Sequence, residues 1–329
     1  MAVWLQTVGI AQTPPSLSVQ MNAGCTGLTV TGESGMTCQI QWSDSLSNSS
    51  RWFHLGHRVL SAQPSSLSDF TSSSPETRYY RAVLTPSTNF VWIQPGTFTM
   101  GCSATEVDRS AWDGPQTVVT LTKGSWMGKY EATQGEYAAV MGNNPSYFQP
   151  PDFAEDLSRP VELVTWDQAR DFCAALTEQE QAAGRIPTNS AYRLSTEAEW
   201  EYACRAGTKT RFSYGDDPGY TLLSNYAWYG VHTSGESHPV GQKLPNPWGL
   251  YDMYGNVWEQ CQDYWSDVLP GGSAVDPQGP DTGAVNVICG GGFRSYPEFC
   301  RSGCRFFGYG LDSLATDIGI RVMLDPGQP

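Results

Sequence analysis

The stretch Gly249-Leu-Tyr-Asp-Met-Tyr-Gly-Asn-Val-Trp-Glu-Gln260, followed downstream by Cys289-Gly-Gly-Gly-Phe-Arg-Ser-Tyr-Pro-Glu-Phe-Cys-Arg-Ser-Gly-Cys-Arg305, constrains this chain more than any other part. It lies in a region, from Gly207 onward, that reads as nearly all loop, punctuated by Gly, Pro and Trp. The composition agrees. The 329 residues include 34 Gly, 22 Pro and 12 Trp and are only 16% charged, a loop-rich and aromatic-rich profile, not a helical one.

Length and a 40% hydrophobic content allow two domains, one large enough for its own core. The net charge is -14 and the pI about 4.6. A field of that sign repels phosphate backbones and anionic membrane surfaces, so no nucleic-acid partner is expected. No apolar run reaches the roughly 18 residues that a bilayer span needs. Met1-Ala-Val-Trp-Leu5 lacks the basic and long apolar regions of a signal peptide. Nine cysteines in a Ser/Thr-rich acidic chain nevertheless point to an oxidising compartment, and so to an extracellular or cell-surface location. The odd count leaves at least one thiol unpaired within the chain.

Residues 1–15 form an extension. Ala2 to Ala11 read as an apolar strand, carried by Val3, Trp4, Leu5, Val8 and Ile10, and Pro14-Pro15 separates it from the strands beyond. Such a strand docks on its own chain or pairs with a neighbouring subunit. Residues 16–85 show short alternating strands, among them Leu28 to Thr31, Cys38 to Trp42, Trp52 to Leu55 and Arg78 to Leu84, with a hairpin signal at Glu33-Ser-Gly35. They predict a small β-sandwich similar to the fibronectin-like modules of secreted bacterial proteins. Cys25 and Cys38 flank the hairpin, where a disulfide would close it.

Residues 90–325 predict an α+β domain. Phe90 to Gly101 reads as a hairpin. Thr133 is the expected N-cap of a helix, with Glu136 at the capping-box position. A second helix is expected over Trp166 to Leu176, with Ala169, Phe172, Cys173 and Leu176 on one face, and a third within Arg193 to Gly207. Cys261 and Cys289 fall on strands expected to be neighbours, so a bridge is expected there. Cys102, Cys173 and Cys304 have no clear partner. His54, His57, His232 and His238 are the only histidines, and the spacing of His54 and His57 puts them on opposite faces of a strand.

The second domain resembles the formylglycine-generating enzyme (sulfatase-modifying factor) family. The matching pieces run in order: Gly96 to Gly101, Tyr130 to Tyr137, Pro160 to Trp166, Arg193 to Ala203, Gly249 to Glu259 and Asp317 to Val322. The resemblance implies a C-type-lectin-like fold with much irregular loop. Its authentic enzymes hold copper through two soft cysteine thiolates. Carried across, Ser295 takes the first-ligand position, and the block's own serine is Gly292. Cys300 fits the second ligand as well as a structural cysteine bridged to the helix residue matching Cys204, and the Cys204–Cys300 bridge is the expectation. On the second alignment both copper ligands are gone and no copper is expected. The resemblance also implies calcium, held by the Asp252 and Glu259 carboxylates and the Gly255 and Val257 carbonyls.

Three functions compete. The first is a non-catalytic extracellular structural or binding protein, self-associating into a filament or surface array by donation of the N-terminal strand. The second is a display protein binding a protein or glycan. Its surface would be Arg294, Tyr296, Phe299, Phe306, Phe307 and Tyr309, in a segment that resembles the variable region of retroelement-diversified lectin-fold proteins. The third is a divergent formylglycine-generating oxidoreductase.

Overall fold

The computed structural model describes residues 16–22, 25–31, 37–43, 53–59, 64–69, 78–85, 89–230 and 233–325. The N-terminal strand expected over Ala2 to Ala11, the turn at Glu33-Ser-Gly35 and His232 lie outside them. The chain divides into two compact units, 1–94 with 177–190 and 326–329, and 95–176 with 191–325.

Within the first unit, residues 16–85 carry six strands: β1 (Ser16–Asn22), β2 (Cys25–Thr31), β3 (Thr37–Ser43), β4 (Phe53–Val59), β5 (Ser65–Asp69) and β6 (Tyr79–Thr85). They make two antiparallel sheets, in the orders β1-β2-β5 and β4-β3-β6. The strand period sets the core. Leu28 and Val30 alternate with the half-buried Gly27 and Thr29 on β2, and Cys38 and Ile40 alternate on β3. These four and Tyr80 form one buried cluster, backed by Trp42, Leu55 and Leu67. Cys25 and Cys38 start strands of different sheets, and the Cys25 side chain lies outside the described residues. A register shift at Ile40/Gln41 breaks β4's pairing. His57 therefore pairs with Gln39 and His54 with Gln41, two positions apart on β3 instead of three, so the simple alternation behind the opposite-face expectation is interrupted between them.

The remaining elements, in chain order, are β7 (Phe90–Ile93), β8 (Gly96–Met100), β9 (Thr117–Leu121), β10 (Ser125–Gly128), α1 (Gln134–Met141), α2 (Trp166–Ala182), β11 (Ala191–Leu194), α3 (Glu197–Arg205), β12 (Ala227–Trp228), β13 (Tyr254–Gly255), β14 (Trp258–Tyr264), β15 (Gly272–Val275), β16 (Asn286–Cys289), β17 (Arg305–Phe307), β18 (Ile318–Gly319) and β19 (Val322–Asp325). Short strands join through long loops, so the fold is mixed and sheet-rich with few helices. Among the described residues no helix is long and apolar enough to cross a membrane.

The predicted Thr133 cap forms, and α3 carries a second one. Thr133 accepts from the Glu136 amide while Glu136 returns to the Thr133 amide, and Thr196 and Glu199 do the same for α3. α3 is buried along almost its whole length, from Glu197 to Arg205. It packs on β14 and β16, the strands that carry the two informative stretches. These belong to the sheet β17-β16-β14-β18, in which Glu259 faces Cys289 and Trp258 faces Ile318. A separate run, β11-β19-β10, brings Arg321 and Val322 beneath it.

Candidate functional site

The 249–260 block closes over a buried acidic cluster. Asp252 sits at a left-handed φ of 55°, which turns its carboxylate inward. Its Oδ2 accepts from the Gly241 amide (2.6 Å), while Oδ1 is buried without a hydrogen-bond partner. Glu259 is fully engaged: Arg321 grips it in a fork (2.8 and 2.6 Å) and Trp200 Nε1 donates to Oε2 (2.6 Å). Arg321 also donates to the carbonyls of Gly128 and Tyr251. Glu131, which sequence reasoning missed although its block was in view, accepts from the Val257 amide (3.0 Å) and Asn256 Nδ2 (2.6 Å). Three buried carboxylates thus share one guanidinium.

The electrostatics follow. Burial, then the charges of Asp252 and Glu259, push the Glu131 carboxyl well up, against the pull of Arg321. Burial raises Asp252 to about 6, opposed by the Gly241 amide and Arg321. The structure therefore places Asp252 and Glu259 in one buried cluster but turns Glu259 to Arg321. The unpartnered Asp252 Oδ1 suits a hard cation, which would rest on that oxygen and on backbone carbonyls, without Glu259. Among the described residues no three His, Cys, Asp or Glu side chains are grouped to hold a metal.

The Cys289–Arg305 stretch forms tight turns. A Cβ at Gly291 would lie 2.8 Å from Cys300 Sγ, so glycine there lets the sulfur in. A Cβ at Gly292 would lie 3.0 Å from Trp258 Cδ1 and 3.1 Å from the Asp317 carbonyl, so Trp258 and Asp317 already fill the space a serine would take. Ser295 is 9% exposed, and its Oγ accepts from the Gly292 amide (2.8 Å), which closes the turn. Cys300 is fully buried, and burial pushes its thiol far up, so it stays protonated.

Two expected bridges are absent. Cys204, Cys300, Cys261 and Cys289 are all thiols. Cys204 Sγ faces the Met253 carbonyl (3.8 Å), while Cys300 Sγ is tucked under Gly291. Cys261 and Cys289 are on neighbouring strands as expected, but the register sets them diagonally. Cys102, given no partner by the sequence, receives a hydrogen bond from Arg301 Nη1 (3.1 Å).

The proposed binding residues separate into two groups. Arg294, Tyr296 and Tyr309 are exposed, the two tyrosines at 70% and 71%. Phe299, Phe306 and Phe307 are half-buried and pack with other rings. Phe306 and Phe307 stack at 4.8 Å, and Trp112 meets both edge-on at 6.2 and 6.0 Å. Trp265 joins through Trp112 (5.9 Å) and Phe307 (5.3 Å), with the Arg305 guanidinium 4.3 Å above its ring. Trp112 and Trp265 were not legible as members, because they lie far away in sequence. A polar cavity of about 330 Å³, lined in part by Lys123, Arg193, Glu199, Asp276 and Asp325, contains none of the residues expected from sequence.

Comparison with known proteins gives the family. The chain is 37% identical over 155 residues to the formylglycine-generating enzyme of Streptomyces coelicolor, covering 44% of this chain and 45% of that protein. It spans about half the length of the curated relatives it matches. Among solved structures, Treponema denticola variable protein 1 superposes with a TM-score of 0.62 at 31% identity, over 71% of this chain and 94% of that one. PvdO from Pseudomonas aeruginosa gives 0.63 at 27% identity, over 73% and 96%. The family model for the sulfatase-modifying factor enzyme 1-like domain matches residues 78–326, and the chain belongs to that family.

Proposed function

We propose that this chain is a non-catalytic extracellular binding protein. It uses a C-type-lectin-like family domain, preceded by a small fibronectin-like β-sandwich, to present the aromatic face around Tyr296 and Tyr309 to a protein or glycan. The observation that carries this is the pair Gly292 and Ser295. Where copper chemistry asks for a serine and a soft thiolate, Trp258 and Asp317 crowd out the first, and a hydroxyl locked on the Gly292 amide replaces the second. Cys300 alone remains, buried and protonated. The residues do not fit copper. Exposed tyrosine and arginine in the segment that also carries the Phe306–Phe307 ring cluster suit recognition instead.

The test uses a cysteine-containing sulfatase peptide with copper and oxygen. Mass spectrometry should show no conversion to formylglycine, and conversion would restore the oxidoreductase reading that the relatives' names favour. Self-association through Ala2 to Ala11 belongs to the same proposal, and light scattering of the full chain against one lacking residues 1–13 checks it. Assembly lost on deletion supports strand donation, and a full chain monomeric at every concentration removes it. Calcium is proposed at Asp252 with the Gly255 and Val257 carbonyls. A ligand that binds only the folded state stabilises it by mass action, so EDTA should lower the melting temperature by several degrees. An unchanged melt counts against the ion.

A further inference from the structure

Two thiols meet inside the β14/β16 pairing. Cys261 and Cys289 are 0% and 2% exposed, and their Sγ atoms lie 3.9 Å apart. The ladder dictates the contact. Glu259 faces Cys289 and Gln260 faces Ile288, so Cys261, two residues past Glu259, is the diagonal neighbour of Cys289 on one face. The strands are also held from outside the pair. Trp166 Nε1 donates to the Cys261 carbonyl (2.9 Å), and a Cβ at Gly290 would lie 3.1 Å from Trp200 on α3.

We propose that Cys261 and Cys289 form a disulfide site, closed during folding by a disulfide-bearing oxidant and left as two thiols when the chain folds in a reducing medium. One cysteine, as thiolate, attacks a sulfur of the oxidant. A mixed disulfide forms and one oxidant thiolate leaves. The second cysteine then attacks the protein sulfur of that mixed disulfide and expels the other oxidant thiolate. Two protein thiols are oxidised, one oxidant disulfide is reduced, and the two protons pass to solvent or to the departing thiolates. Closure brings the sulfurs from 3.9 Å to about 2.0 Å. Diagonal neighbours start at about 7–8 Å between backbones, so closure draws the two strands together by about an ångström at this point.

The timing follows from burial. In the folded chain neither sulfur reaches solvent, so an external disulfide has no access to either. Exchange therefore precedes closure of α3 over the sheet. The bond ties β14, which carries Glu259, to β16, which leads into the 290–309 segment. It stiffens the base of that segment whatever the segment binds.

The experiment compares full-length chain exported through an oxidising compartment with the same chain made in a reducing cytosol. Free thiols are alkylated in denaturant without reductant, and peptides are mapped by mass spectrometry. The exported protein should yield a peptide pair linked through Cys261 and Cys289, and the cytosolic protein two alkylated cysteines. The exported protein should melt roughly 5–10 °C higher, and reductant applied in denaturant before refolding should abolish the difference. Oxidised glutathione added to the folded cytosolic protein should leave both thiols unchanged. Exported, cooperatively melting protein in which both cysteines are alkylated, or in which either pairs elsewhere, overturns the site. Rapid bond formation in the folded cytosolic protein overturns the timing.

Discussion

Replacing Arg321 by methionine is expected to lower the unfolding free energy by about 3–5 kcal/mol. Arg321 and Glu259 are each 1% exposed and form a two-pronged ion pair. Removing the guanidinium strands Glu259 in a medium that does not solvate it, with Glu131 and Asp252 close enough to repel it. The Gly128 and Tyr251 carbonyls lose their donor as well. Methionine fills much of the volume, so the loss reads as charge and hydrogen bonding more than as a cavity. The carboxylates left behind are relieved by taking up protons, so the loss should be greater at pH 8 than at pH 5. Replacing Glu259 by glutamine as well should recover part of the stability, because the stranded charge is then gone. Chemical denaturation of the single and double variants measures all three effects. A single variant within about 1 kcal/mol of wild type would mean that the pair behaves like a surface salt bridge, and the account of the cluster would fail.

That cluster marks the limit of what the sequence could disclose. Local signals were legible because their physics is local. The Thr133/Glu136 cap is set within four residues, and the β2 and β3 alternation needs no knowledge of the partner strand. The block matches placed Asp252 and Glu259 in one loop for the same reason. They could not show that Glu259 is claimed by Arg321, which lies 62 residues on, or that Glu131 enters from 126 residues back to hold the Val257 amide. The aromatic face shows the same division. Tyr296 and Tyr309 were read as surface and are exposed. Phe306 and Phe307 were read alike, yet they are half-buried, because Trp112 and Trp265 arrive from distant loops to pack on them. The Cys261–Cys289 neighbourhood was legible as strand adjacency. The diagonal offset was not, because register depends on the irregularity between Gln260 and Tyr264.

Stability in calcium-free buffer is expected to fall as the pH rises from about 5 to about 8. Asp263 and Glu162 drive it. Burial raises Asp263 to about 8, with the negative charge of Glu197 adding to the shift and the Glu197 amide and Arg305 opposing it. Burial raises Glu162 to about 7, opposed by the Tyr147 and Phe148 amides that donate to it. Both values lie above the ordinary carboxyl range near 4. The sign comes from proton counting. Between about pH 4 and each raised value the folded chain holds a proton that the unfolded chain has released, so raising the pH favours unfolding. Below about pH 4 both states are protonated and the contribution is complete; it disappears as the pH climbs through the folded value. Each group contributes at most about 1.4 kcal/mol per pH unit, and both act together between about pH 5 and 6. Changing Asp263 to asparagine keeps an acceptor for the Glu197 amide but cannot ionise. The variant should lose about one proton's worth of slope over that range and gain relative to wild type as the pH approaches 8. Urea denaturation at half-unit pH steps tests both statements. A wild-type stability that is flat or rising from pH 5 to 7, or a variant with an undiminished slope, would remove Asp263 from the account.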